Sequence, residues 1–315
     1  MAFGNGLRMA RILGVPCYWT WNERTRVGGV EHMGDLFDVG KLGPDVQVLP
    51  FFKALTAIGP ARLCSDGAKG VVSLEAIAGA DVLLCCNGNI QCLGDEELSP
   101  ALRRGFAAAT SCIVPAPALA EKARQFAAAH DLRSAVGVHV RRGDLAGHRV
   151  ERERIRLIGL DRYFAALDVV AADAPLFLCT EDHSVIAAFQ ARYPGRVFRY
   201  PTRSWVRDDA TAIRDAVIEM FLLSATKFIV AGPSAFSRFA AARSMLPLVV
   251  LENGHSMEES IELAKAAVAA LGAVSASPAV DGGSVPPGAA EPPPVEPPGS
   301  LSFLHGEGRA AQQAG

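Results

Sequence analysis

VGVHVRRGD, residues Val136 to Asp144, is an apolar run of β type that ends abruptly in two arginines, a glycine and an aspartate. Charge is delivered to the end of a strand. In an open α/β sheet, ligands bind in the crevice outside the carboxyl ends of the strands, so paired guanidiniums there point to an anionic ligand, most naturally a diphosphate. Downstream the pattern repeats. After Val136 to Val140, short apolar or β-branched runs recur at Leu176 to Cys179, Val197 to Tyr200, Phe228 to Ala231 and Leu248 to Leu251, with helical-period segments between them. The alternation predicts βαβ units, hence a parallel sheet, over residues 131–272.

The helix from about Asp209 shows the period well. Ile213, Ala216, Val217, Met220 and Leu223 or Ser224 share one face, with Asp208 or Asp209 as its cap. Further helices are predicted over about Asp161 to Ala172, Ser184 to Arg192, Ser234 to Ser244 and Met257 to Leu271. Upstream, strands are predicted at Val15 to Trp21, Val46 to Leu49 and Asp81 to Cys85, with helices near Pro100 to Ala109 and Pro117 to Ala129. These make a second, smaller α/β lobe over residues 1–130. From Ala273 to Gly315 the composition changes to Ala, Gly, Ser, Pro and Glu, with prolines at 292–294 and 297–298 and Phe303 as the only aromatic. Such a segment buries too little apolar area to offset chain entropy and is expected to be a disordered tail.

Composition narrows the function classes. A chain of 315 residues, half of them apolar, can bury about two domain cores. A formal charge of −2 and a pI near 6.4 leave no basic footprint for nucleic acid. The seven cysteines, Cys17, Cys64, Cys85, Cys86, Cys92, Cys112 and Cys179, are odd in number, lie mostly in apolar runs and show no metal-ligand spacing. They are expected to be reduced core thiols. With no apolar run of signal-peptide length at the amino terminus and no uncharged stretch that approaches membrane-spanning length without proline, the expected compartment is the cytoplasm.

Three polar clusters fall at the carboxyl ends of three predicted strands and should meet at one edge of one sheet. The first is His139, Arg141, Arg142 and Asp144. The second is Thr180, Glu181 and Asp182. The third is Gly232, Ser234 and Ser237, where a helix begins and offers free N–H groups and a positive dipole end to a phosphate. Taken singly, Ser234 reads as an N-cap and Glu219 as a solvated helix residue; the convergence of the clusters carries the functional reading.

VGVHVRRGD (136–144), LFLCTEDHSVIAAFQARYPGRV (176–197) and AIRDAVIEMFLLSATKFIVAGPSAFSR (212–238), in this order and spacing, resemble the three successive motifs of the α1,2-, α1,6- and protein O-fucosyltransferase superfamily, and most closely those of the α1,6 and nodulation enzymes. The resemblance spans about Ala135 to Ser244. It implies a GT-B architecture of two facing Rossmann-like domains and an inverting, metal-independent transfer of fucose from GDP-fucose to a glycan or saccharide hydroxyl. It also implies roles by position. His139 and Glu219 resemble the residues that contact guanine, the latter normally an aspartate. Arg141 matches the arginine on the β-phosphate, with Arg142 and Asp144 completing that motif. Asp182 falls on the second acid of the second block, and Ser234 and Ser237 sit where the third block approaches the diphosphate.

Two departures stand out. The α1,6 enzymes carry a lysine and then a catalytic glutamate in the loop after the arginines; here those positions hold Leu145 and Arg149. Either the base has moved, with Glu151 favoured and Glu153 and Asp144 as the other candidates, or the acceptor and mechanism differ from that subfamily. Second, FGNGLR (Phe3 to Arg8) resembles the glycine-rich loop that normally follows the first strand, yet almost no chain precedes it, which leaves the start of the chain in question. Rival enzyme classes lack their signatures: there is no Asp-x-Asp tripeptide for a metal-dependent transferase, no G-x-G-x-x-G for a dehydrogenase and no serine elbow for a hydrolase. The remaining alternative is a degenerate relative that binds a GDP-sugar or glycan without turnover.

Overall fold

In the computed structural model, the residues described are 7–8, 10–11, 17–21, 30, 32–50, 63–65, 71–72, 82–84, 91–92, 100–142, 157–206, 209–252 and 254–276. The amino-terminal region contains β1 (Cys17–Trp21), β2 (Val46–Pro50), β3 (Leu63–Ser65), β4 (Val71–Val72), β5 (Val82–Leu84) and β6 (Gln91–Cys92), followed by α1 (Pro100–Thr110) and α2 (Pro117–Ala129). Its strands pair in parallel as β1 with β2, β3 with β5 and β4 with β6. Residues 7–8 and 10–11 are helical, with Leu7, Arg8 and Ala10 buried, so the chain turns helical within the FGNGLR stretch; its residues 3–6 lie outside the described set.

The rest alternates strictly: β7 (Val136–His139), α3 (Leu160–Val170), β8 (Leu176–Cys179), α4 (His183–Arg192), β9 (Val197–Phe198), α5 (Ala210–Leu223), β10 (Phe228–Ala231), α6 (Ala235–Arg243), β11 (Leu248–Val250) and α7 (Met257–Ala276). All five strands are parallel, in the order β11-β10-β7-β8-β9. The chain winds outward from β7 through β8 to β9, then crosses back along α5 and winds outward again through β10 to β11. The order therefore reverses between β7 and β10. The register puts Ala231, His139 and Cys179 in one row, so the carboxyl ends of β10, β7 and β8 open on the same crevice.

Every residue of β7, β8 and β10 is buried, as a sheet covered on both faces requires. Val136, Val138, Leu176 and Leu178 pack with Tyr163, Leu167 and Phe189 on one side; Phe177, Ile229 and Ala231 pack with Ile218 and Leu222 on the other. Burying each large side chain of this kind contributes about 1.5–3 kcal/mol. Helix α2 lies on the second face, its Phe126 ring 5.9 Å from Phe177 and 5.6 Å from Tyr200. Gly137 is required by close approach: a Cβ there would fall 2.6 Å from Leu223 Cδ1 and 2.7 Å from Thr226 Oγ1. Helix α7 continues to Ala276, because AVSA prolongs an alanine-rich helix past Gly272, where the composition shift alone would end it. Residues 277–315, expected as the tail, lie outside the described set. Among the described residues no helix is long and apolar enough to cross a membrane.

Candidate functional site

A cavity of about 730 Å³ opens at the point where the strand order reverses, within the range of small-molecule sites. Its floor is the carboxyl end of β7, where His139 is buried and its Nδ1 finds no hydrogen-bond partner among the described residues. The imidazole stacks on Phe236 of α6 at 4.8 Å between centroids. Burial, with the positive charge of Arg141 adding to it, pushes the His139 pKa down to about 4, so the ring is neutral at neutral pH. Arg141 follows two residues later, exposed and in the cavity wall.

Arg142 takes a different course although it is the next arginine. Its backbone N–H donates to Glu181 Oε1 at 2.7 Å and its Nη2 donates to the Ile158 carbonyl at 3.0 Å. The guanidinium thus braces the 157–158 segment and does not line the cavity. Asp182 likewise serves the framework. Its carboxylate caps α4, accepting from Ser184 N at 2.7 Å and from the Ser184 hydroxyl at 2.6 Å, and these bonds hold its pKa below the ordinary value. The acid in the cavity wall from this strand end is Glu181, the preceding residue.

Ser234 is buried, caps α6 by accepting from Phe236 N at 3.2 Å, and also lines the cavity; the two readings of this residue coexist. Ser237 is fully buried with its hydroxyl donating to the Ser234 carbonyl at 3.2 Å, so it shapes the first turn of α6 from behind. Behind the floor, the buried Tyr163 hydroxyl donates to the His139 carbonyl at 3.4 Å and interacts with the Gly232 backbone, joining the ends of β7 and β10.

The opposite wall is α5 with the segment 201–206. Glu219 faces the cavity, its carboxyl enclosed by protein and bonded by the Thr202 hydroxyl at 3.0 Å. Burial is the main cause of a pKa pushed up to about 8, against the opposing effects of Thr202 and Arg199. Thr202, Ser204, Trp205, Ala212, Ile213 and Ala216 complete this wall, and none of them was singled out from the sequence as a site residue. Trp205 lies 4.1 Å from the His183 ring, with the Arg199 guanidinium 5.5 Å from its own centroid.

Of the residues expected from the sequence, His139, Arg141, Glu219 and Ser234 come together around the cavity. Arg142, Asp182 and Ser237 stand behind it. Asp144, Leu145, Arg149, Glu151 and Glu153 lie outside the described residues. Among those described, no group of three His, Cys, Asp or Glu side chains is placed to hold a metal ion. Cys17, Cys112 and Cys179 are free thiols; Cys17 and Cys179 are buried, and Cys112 is half-buried.

No family model matches the chain, and no curated protein matches it in sequence. Solved structures do. A NodZ α1,6-fucosyltransferase co-crystallised with GDP superimposes with a TM-score of 0.51 at 17% identity, covering 80% of this chain and 91% of that one. Fucosyltransferase NodZ from Bradyrhizobium gives a TM-score of 0.51 at 18% identity over 80% of this chain and 93% of that one. Its selenomethionine form gives 0.52 at 18% identity, over 80% and 92%. The chain therefore has a fucosyltransferase-like fold.

Proposed function

We propose that this protein is a glycosyltransferase that uses a GDP-sugar, GDP-fucose by the resemblance of its motifs, and transfers the sugar to a hydroxyl of a glycan or saccharide. The observation that carries this is the convergence of Arg141, the amino terminus of α6, His139 and Glu219 on one cavity at the strand-order reversal. Each end of that cavity suits one end of a GDP moiety. Cleavage of the sugar–phosphate bond leaves negative charge on the diphosphate. A guanidinium and a helix amino terminus stabilise that charge more as it develops, which lowers the barrier rather than only tightening binding. At the other end, a Glu219 carboxylate would accept from the two adjacent N–H donors of guanine, a pair that neither adenine nor uracil offers. The likeness to a structure co-crystallised with GDP supports the same donor class.

In this reading the transfer is inverting and independent of metal, within a GT-B arrangement whose acceptor lobe is the amino-terminal region. The acceptor hydroxyl must lose a proton as it attacks the anomeric carbon. We assign that proton to Glu151, with Asp144 and Glu153 as the other acids of the loop after the arginines. The test is a calorimetric titration with GDP, UDP and ADP in chelator, followed by a fucose-transfer assay on a glycan panel. Tighter binding of GDP without metal supports the reading; equal affinities or a strict metal requirement refute it. Retained transfer in both Glu151→Gln and Glu153→Gln would move the base elsewhere. Because Leu145 and Arg149 stand where the α1,6 enzymes carry a lysine and a glutamate, a second reading is a protein that binds GDP-fucose without turnover. It gains if binding occurs while neither transfer nor slow hydrolysis does.

A further inference from the structure

Three successive residues of the 201–206 segment are tied to three carboxyl groups, those of Glu219 and Asp215 in α5 and of Asp209 at its N-cap, in antiparallel order. Thr202 Oγ1 donates to Glu219 at 3.0 Å. Arg203 donates through its backbone N–H at 3.0 Å and its Nη2 at 3.1 Å to the two oxygens of Asp215. The Ser204 hydroxyl bonds the carboxylate of Asp209, the N-cap of α5. The segment has no strand or helix of its own, so side-chain ties do the work that a ladder does elsewhere. Thr202, Ser204 and Trp205 line the cavity, whereas the Arg203 side chain between them is 57% exposed.

Asp215 is the middle tie and differs from its neighbours. It is fully buried, it lies outside the cavity wall, and both of its oxygens are engaged by one residue of the segment. An enclosed carboxylate is unfavourable unless it is hydrogen-bonded, so the site is committed to holding Arg203 in place. Where Arg203 goes, Trp205 follows two residues later, completing the wall from which Glu219 reaches the cavity.

We propose that Asp215 is a positioning residue for the cavity, holding the 202–205 segment against α5 so that Trp205 forms the wall and Thr202 orients Glu219. Its effect on nucleotide affinity rests on the GDP reading above; its effect on Trp205 does not. The experiment uses the full chain with Trp19 and Trp21 replaced by phenylalanine, leaving Trp205 as the only indole. Asp215→Ala is expected to keep its far-ultraviolet circular dichroism, to shift Trp205 emission to the red and to make Trp205 more accessible to acrylamide. It should also bind GDP about tenfold more weakly, the loss of hydrogen bonds to a charged group. Asp215→Asn, which keeps acceptor oxygen but not charge, should fall between it and the parent, and it carries the test if the alanine variant does not fold. A folded Asp215 variant with the parent's emission and quenching overturns the proposal, as does an altered Trp205 with unchanged GDP affinity. If the parent protein fails to bind GDP at all, the functional reading falls, and Trp205 accessibility alone then decides whether Asp215 positions the wall.

Discussion

The two walls of the cavity are built by different means. On one side His139, Arg141 and Ser234 stand at the ends of β7 and β10, where strand register alone brings them together. On the other, Thr202, Ser204 and Trp205 sit on a segment without regular structure, held to α5 by Glu219, Asp215 and Asp209. The first wall is as rigid as the sheet. The second is as rigid as three hydrogen-bonded carboxyl groups. A parallel sheet with a reversed strand order delivers polar residues to one crevice whatever the loops do; the specificity of the pocket is left to contacts that depend on individual side chains. The comparison predicts large catalytic losses on the sheet side and conditional, pH-dependent ones on the helix side.

The largest effect belongs to Arg141. Arg141→Ala should lose about 2–4 kcal/mol of transition-state stabilisation, the range for removing one preorganised donor, seen as a fall in kcat/KM for transfer. Arg141→Lys should not recover it, since a point charge lacks the planar pair of donors that matches two diphosphate oxygens. Wild-type turnover in the lysine variant would break the assignment of this wall to the diphosphate.

Glu219 should give a smaller loss that varies with pH. In the ligand-free protein burial raises its pKa to about 8, so near neutrality the carboxyl holds its proton. Accepting from two guanine N–H groups requires the carboxylate. GDP affinity should therefore rise between about pH 6 and 8, by at most about tenfold per unit for one proton released, and level off above. Glu219→Gln should flatten that profile and lose about 1–3 kcal/mol of GDP preference over UDP, the penalty for leaving a buried donor unsatisfied. The charged neighbours that bear on this group are Arg199, which favours ionisation, and Asp215 and Glu181, which oppose it. Stability runs the other way. The folded protein keeps a proton that an unfolded carboxyl releases near 4.5, so this group's contribution is complete below that value and is lost as pH rises toward 8. Urea unfolding of the wild type and of Glu219→Gln across this range checks the sign.

How much of this was legible in the sequence follows the same division. The five strands of the main sheet and the helices between them came from apolar periodicity, because each strand reads as a short continuous run and the central β7, β8 and β10 are covered on both faces. The ends of Val197 to Tyr200 and Leu248 to Leu251 were overestimated, since Tyr200 and Leu251 remain buried after the ladder stops. The short pairs β3 with β5 and β4 with β6 lack that length; only β5 was anticipated. In the cavity, His139, Arg141 and Ser234 were visible as strand-end or helix-start residues, and Glu219 through the motif resemblance. Trp205 was not, because its place depends on Asp215 and Arg203, twelve residues apart and linked only through space. Glu181 and Asp182 were visible as a pair, but period and motif do not say which of two adjacent acids turns toward helix or cavity. The structure gives the cap to Asp182 and the wall to Glu181.

That last pair offers the smallest and sharpest test. Asp182 holds the first turn of α4 through Ser184 N, the Ser184 hydroxyl and Val185 N at 2.7, 2.6 and 3.4 Å. Removing an N-cap of this kind costs about 0.5–2 kcal/mol of stability, because the first N–H groups of the helix lose an acceptor. Glu181 supports the arginine loop through Arg142 N and stands in the cavity wall. Asp182→Ala should therefore lower the midpoint of urea unfolding and leave GDP affinity within about twofold. Asp182→Asn, which still accepts, should recover most of the stability. Glu181→Gln should do the reverse, with a nearly unchanged midpoint and weaker GDP binding. The two adjacent acids separate scaffold from site within one residue, provided that both variants are measured by the same two assays. A fall in GDP affinity for Asp182→Ala at an unchanged midpoint would return Asp182 to the nucleotide and reduce Glu181 to a loop brace.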